Sequence, residues 1–244
     1  MELILDLSLR VAPALVLVAV VFFVLPPAQV LARIGVLIAG FVVLRDAMTP
    51  VGVWSFGVEF PALFLRFVDD WFVLVSLGVM SGVVALLLLR VPELRVLVRW
   101  GDLGSWKPYL VGILGGVAVA APFVLVGLGA PLDARGGAVA AALLPALLLM
   151  ALAGNFVEEL LFRGFLQSHF EGSMSSVRAA VLSGLLFAVA HIFLATTVTD
   201  LGWPVLLFVT VEGLACAFIY RRFGLVASTL THGLAIFFLA SGLL

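Results

Sequence analysis

Apolar stretches close to 20 residues long follow one another along almost the whole chain, and that repetition leaves few architectures open. Of the 244 residues, 64% are hydrophobic and 11% are charged, and the mean hydropathy is +1.32. A soluble domain carries roughly 25% charged residues and about half apolar ones. The surplus exceeds what one core can bury, so lipid must solvate much of the surface. A spanning helix needs about 20 mostly apolar residues, fewer where the bilayer thins. That window predicts about eight spans, near residues 8–25, 30–44, 71–89, 109–128, 138–167, 177–198, 204–220 and 225–243. The expected fold class is all-α, a polytopic membrane helix bundle forming a single integral membrane domain over 1–244. Residues 50–68 are apolar but interrupted by Glu59, Pro61 and Arg66, so they suit an interfacial or re-entrant helix as well as a ninth span.

Charge narrows the reading further. The net charge of −1 offers no argument for nucleic acid as a partner. The single Cys216 excludes an intrachain disulfide framework and a cysteine-rich metal site. Glu2 and Asp6 stand where a secretory signal would be basic, so the first apolar stretch is expected to be retained. Arg90, Arg95, Arg99 and Lys107 crowd one connection, Arg163 and Arg178 flank another, and Arg221 and Arg222 flank the last. Positive-inside counting makes these cytoplasmic and places Asp46, Asp69, Asp70, Asp133 and Asp200 in the opposite loops. Lys107 is the one lysine among 13 basic residues, a bias expected of a GC-rich bacterial genome and hence of a multi-pass protein of the inner (plasma) membrane.

Ionisable side chains deep in a bilayer are costly and usually face a protein interior or a wet cavity. Four of the last spans carry them. At a rise of ~1.5 Å per residue, Glu158 lies ~15 Å from its cytoplasmic end, His191 ~21 Å, Glu212 ~14 Å and His232 ~14 Å. Titratable groups on four helices thus share one layer, which points to a functional cavity rather than scattered polar residues.

Helical geometry divides the work. Glu159 and Arg163 are i and i+4 and can pair along one face. Glu158 is rotated away from that pair, and Asn155, three residues earlier, could orient its carboxylate. A desolvated carboxylate near histidines suits general-base work on water; the plainer alternative bonds Glu158 to a neighbouring backbone and leaves Glu159–Arg163 as a staple. Phe187 shares a helix face with His191, with Ser183 one turn further back. Ser228, Thr229 and Thr231 offer His232 polar partners. Either histidine alone could be a satisfied interior residue. Glu212 belongs to no motif, and His169, beside Glu171 and Gly172, reads as a solvated loop residue.

Glu158-Glu159-Leu-Leu-Phe-Arg163 resembles the Glu-Glu-x-x-x-Arg motif of the CAAX protease and bacteriocin-processing (CPBP) intramembrane peptidases. Phe187-Ala-Val-Ala-His191 is similar to that family's Phe-x-x-x-His motif, and His232 stands where its later histidine is expected. The resemblance covers 138–244 as a catalytic core and leaves 1–137 as spans without motifs. It implies about eight helices around an intramembrane cavity and hydrolysis of a peptide bond in a membrane-associated or C-terminally tagged protein. Under it Glu158, His191 and His232 would be catalytic, with Glu159, Arg163, Asn155 and Phe187 supporting. No cofactor is required, although zinc held by Glu158, His191 and His232 would suit two histidines and a carboxylate. The implied partners are a membrane protein or peptide substrate and the lipid bilayer, with no nucleic acid. One position departs from the family: its last motif is usually His-x-x-x-Asn (or Asp), and this chain has Ile236 there. A non-catalytic immunity or scaffold protein of the same fold is therefore the alternative, and a proton-coupled transporter the third reading.

Overall fold

A computed structural model describes residues 2–59 and 62–243. The chain is helical apart from one small hairpin. Helices α1 (Glu2–Val24) and α2 (Val30–Val51) pair first, followed by strands β1 (Trp54–Glu59) and β2 (Ala62–Phe67). Then come α3 (Trp71–Leu88), the short α4 (Pro92–Arg95) and α5 (Lys107–Gly127). Helix α6 (Leu144–Glu159) widens into π-helical turns over Leu160–Gln167 and ends in α7 (Ser168–Glu171). Helix α8 (Ser176–Val189) also passes into π-helical turns, Leu194–Val198, and α9 (Trp203–Phe223) and α10 (Leu225–Ser241) close the chain.

Local chemistry sets the ends. Asp70 caps α3 by accepting from the Val73 amide at 3.1 Å. Prolines sit in the first turns of α4, α5, α6 and α9, where the missing amide would have had no partner. Gly224 joins α9 to α10 at φ +83, and a Cβ there would lie 2.3 Å from the Gly101 nitrogen, so the corner demands glycine.

Among the described residues, six helices are long and apolar enough to cross a membrane, including the 31-residue Ala141–Glu171. The two other expected spans coincide with α2, which carries Arg33, Arg45 and Asp46, and with α10, only 17 residues long. The protein is a multi-pass helical membrane bundle. Leu9, Leu17 and Phe23 of α1, Leu86 of α3 and Leu114 of α5 point outward and exposed, as lipid-facing positions do. Helix α10 lies at the centre, packed on α5, α6 and α9.

Two expectations change. Residues 50–68 form neither a re-entrant helix nor a span: Trp54–Glu59 and Ala62–Phe67 pair antiparallel, with Trp54 opposite Phe67 and Phe56 opposite Leu65. The period is two, not 3.6. Trp54, Phe56, Leu65 and Phe67 share one face, while Ser55, Gly57, Phe64 and Arg66 share the other. Phe64 lies across Gly57, filling the space a side chain would take. Arg66, read as a helix breaker, reaches the Leu239 carbonyl at 3.0 Å and the Gly137 carbonyl at 2.8 Å, closing the end of α10. Pro61 lies outside the described residues.

The second change is the length of α2. It continues through Pro50 to Val51, so Asp46 is not a loop residue. It is buried beside Arg45, whose Nε donates to Asp46 Oδ1 at 2.8 Å. Burial of adjacent opposite charges lets the helix run on where the charge pair suggested its end. His169 likewise lies in α7, half-buried, with its ring against Phe170.

Candidate active site

Small residues bring the site-bearing helices together. A Cβ on Gly213 of α9 would meet the Gly184 carbonyl of α8 at 2.9 Å. A Cβ on Gly233 of α10 would meet the Ala151 carbonyl of α6 at 3.3 Å. Helices without a hydrophobic drive between them pack this way, backbone close to backbone.

The two glutamates of α6 have different surroundings. Glu159 is fully buried and does not reach the cavity described below. Its Oε1 lies 2.9 Å from Arg163 Nη1 and accepts from His232 Nδ1 at 2.9 Å. Arg163 is equally buried, donates from Nη2 to the Gly213 carbonyl at 2.8 Å, and stands 4.5 Å from the Phe187 ring centre. Glu159 and Arg163 therefore tie α6, α9 and α10 to one another. The π-helical turns begin at the next residue, Leu160.

Glu158 looks the other way. It lines a cavity of about 660 Å³, with His191, Glu212, His232, Asn155 and Ile236 on the same wall. His191 Nε2 is 4.0 Å from Glu158 Oε2. His191 Nδ1 lies 2.8 Å from the Phe187 carbonyl, an acceptor, so Nδ1 carries the proton and Nε2 of the neutral ring keeps its lone pair toward Glu158. Phe187 packs 4.4 Å from the His191 ring and edge-on to His232 at 5.5 Å, holding both imidazoles. His232 Nε2 is 3.4 Å from Glu212 Oε2. The four depths expected of separate helices thus meet at one place.

Other expected partners do not meet. Asn155 donates to the Ala151 carbonyl at 2.7 Å, one turn back on its own helix, rather than orienting Glu158. Thr231 donates to the Ala227 carbonyl at 3.0 Å and lies against Gly112 of α5. Ser183 donates to the Phe162 carbonyl at 2.8 Å, joining α8 to the π-helical turns.

Residues 140–238 match the family model for type II CAAX prenyl endopeptidases, Rce1-like. Over that segment the chain is similar to the CAAX protease family. No curated protein and no solved structure matches the chain. The matched CAAX protease segment contains all three sequence motifs and Ile236. That likeness supports a protease, a hydrolase acting on a protein substrate, and the apolar helices support its placement in a membrane.

The remaining cavity walls come from outside that segment. They include Val11 and Leu15 of α1, Phe41 of α2, Leu77 of α3 and the hairpin's Trp54 and Phe67. These walls are mostly apolar, with Ser8 and Ser81 among them. Sequence reasoning missed a charged residue on the cavity: Arg45 of α2, whose Nη2 donates to the Ala190 carbonyl at 2.7 Å. Arg45 lies one residue past the apolar run expected to end at residue 44, so its place on the cavity is not marked in the sequence. As for a metal, three ligand-type atoms come within 4.8 Å of one another at Glu159, Cys216 and His232, a different set from Glu158, His191 and His232.

Proposed function

We propose that this chain is an intramembrane endopeptidase in which Glu158 activates water with the help of His191. The observation that carries the reading is the 4.0 Å gap between Glu158 Oε2 and His191 Nε2 on the wall of an apolar cavity. One water with hydrogen bonds of ~2.8 Å spans such a gap, donating one proton to the carboxylate and the other to the imidazole. Its lone pair is then left for the scissile carbonyl. Glu158 takes a proton as the water oxygen bonds to the carbonyl carbon, and the carbonyl electron pair moves onto oxygen. Collapse of that tetrahedral species restores the carbonyl and breaks the C–N bond, and the proton held by Glu158 passes to the leaving nitrogen. The products are a carboxyl terminus and an amine. Arg163, Glu159 and Phe187 hold the imidazoles of His232 and His191 in place.

The chemistry is read as glutamate-dependent. Glu159 Oε1 is already ion-paired with Arg163 and accepts from His232, and His232 meets a carboxylate at each ring nitrogen, so these atoms are engaged within the protein. A chelator such as 1,10-phenanthroline is expected to leave hydrolysis by purified protein unchanged. Loss of activity restored by zinc would support Glu158, His191 and His232 as metal ligands instead. The substrate is a tail that reaches an apolar intramembrane cavity: a prenylated CAAX terminus, a bacteriocin leader or a C-terminal sorting tail, in the plasma membrane of a bacterium.

The test compares the termini of membrane proteins in cells carrying wild-type and Glu158→Gln forms, by mass spectrometry. At least one terminus is expected to be cut only with wild type. Ile236 favours a second reading, a non-catalytic immunity or scaffold protein, under which both cell lines share every terminus and Glu158→Gln keeps the biological phenotype.

A further inference from the structure

Addition of water to a peptide carbonyl puts negative charge on its oxygen, and an intramembrane cavity offers that charge little solvation. Catalysis there needs hydrogen-bond donors already aimed at the oxygen. The face of α10 that presents His232 also presents Ile236 one turn later, and Ile236 lines the cavity with no donor to give. Asn155 and Thr231 donate elsewhere, to Ala151 and Ala227.

Arg45 of α2 has such a donor to give. It lines the same cavity and is 1% exposed. Asp46 Oδ1 occupies one edge of its guanidinium, 2.8 Å from Nε and 2.7 Å from Nη2. Nη2 also donates to the Ala190 carbonyl, one residue before His191, so the arginine is placed in register with that histidine. Nη1 is buried and has no partner among the described residues. A guanidinium is costly to bury in a membrane bundle. Charge neutralisation alone would be better served by a two-oxygen fork to Asp46, whose Oδ2 is left unpaired.

We infer that Arg45 is a catalytic residue whose Nη1 donates to the oxyanion, in place of the side chain that Ile236 does not provide. It rests on the peptidase reading above. As the water oxygen bonds to carbon and its proton goes to Glu158, the displaced electron pair on the carbonyl oxygen accepts the Nη1 proton in a hydrogen bond. Arg45 stays protonated throughout and is unchanged when the C–N bond breaks. It lies outside residues 140–238, so the donor belongs to this chain's own N-terminal part.

The experiment uses full-length protein in detergent and a fluorogenic peptide spanning the junction that Glu158→Gln cells leave uncut. Arg45→Gln is expected to lower kcat by about 10²–10³-fold with KM changed by less than about threefold, because the contact exists only after addition. Arg45→Lys retains a charge for Asp46 and so protects folding. Its single ammonium cannot serve Asp46, Ala190 and the oxyanion together, so kcat still falls about tenfold or more. Adding Ile236→Asn to either variant is expected to restore kcat about tenfold, which a merely structural role for Arg45 would not produce. An unchanged kcat in both variants overturns the inference, as does a loss carried by KM, which would make Arg45 a binder of a substrate carboxylate. A kcat loss that tracks thermal unfolding and resists Ile236→Asn also overturns it. If wild type shows no Glu158-dependent cleavage, the peptidase reading itself fails; cleavage by wild type with full activity in Arg45→Gln sinks only the role of Arg45.

Discussion

Arg163 and Glu159 are both fully buried, and each depends on the other. Replacing Arg163 by methionine keeps much of the volume but strands the Glu159 carboxylate and frees the Gly213 carbonyl. Breaking a buried ion pair from one side costs about 3–5 kcal/mol. Arg163→Met is therefore expected to lower the thermal unfolding midpoint in detergent by many degrees, whereas Glu158→Gln, on the cavity wall, should leave it nearly unchanged. Equal midpoints for the two variants would contradict the division between them. These residues stand out in the sequence because their relations are local: Glu159 meets Arg163 one turn on, and Phe187 meets His191 by the same spacing. Arg45 has no such local signature. Its place depends on how α2 packs against the turn after α8, and next to Asp46 it reads as the end of a span. The acceptor to which Asn155 commits, the Ala151 carbonyl of its own helix, is equally hidden from spacing.

Helices in this bundle owe their separations to residues without side chains. Gly213 and Gly184 bring α8 and α9 so close that a methyl group on Gly213 would collide with a backbone carbonyl. Overpacking of this kind typically costs about 1–3 kcal/mol. Gly213→Ala is expected to lower both the unfolding midpoint and Glu158-dependent cleavage, because it displaces His191 and Glu212 together. Gly82→Ala on α3, where an added Cβ meets nothing within 4 Å, is the control and should change neither. Apolar windows were a sound guide to the long helices, since length and composition suffice for them. They failed at the hairpin, where the apolar residues reach the same count as in a helix, while Trp54, Phe56, Leu65 and Phe67 share one face and Phe64 lies on the other. Only the period distinguishes the two, and six residues per strand give it little room to show.

At the scale of the whole molecule, the cavity is enclosed by two sets of elements. Glu158, His191, Glu212 and His232 come from α6 to α10 and the turns between them, within the segment shared with the CAAX proteases. The facing walls come from α1, α2, α3 and the hairpin, which that match does not reach. Under the peptidase reading, reaction and recognition fall to separate lengths of one chain. Substitutions among the first 90 residues can reshape what the chamber admits without disturbing the hydrolytic wall, so one reactive core can be refitted to new tails. Arg45 is the point where the two assignments touch, and drift at that position is the one change on the admitting side that the chemistry would feel.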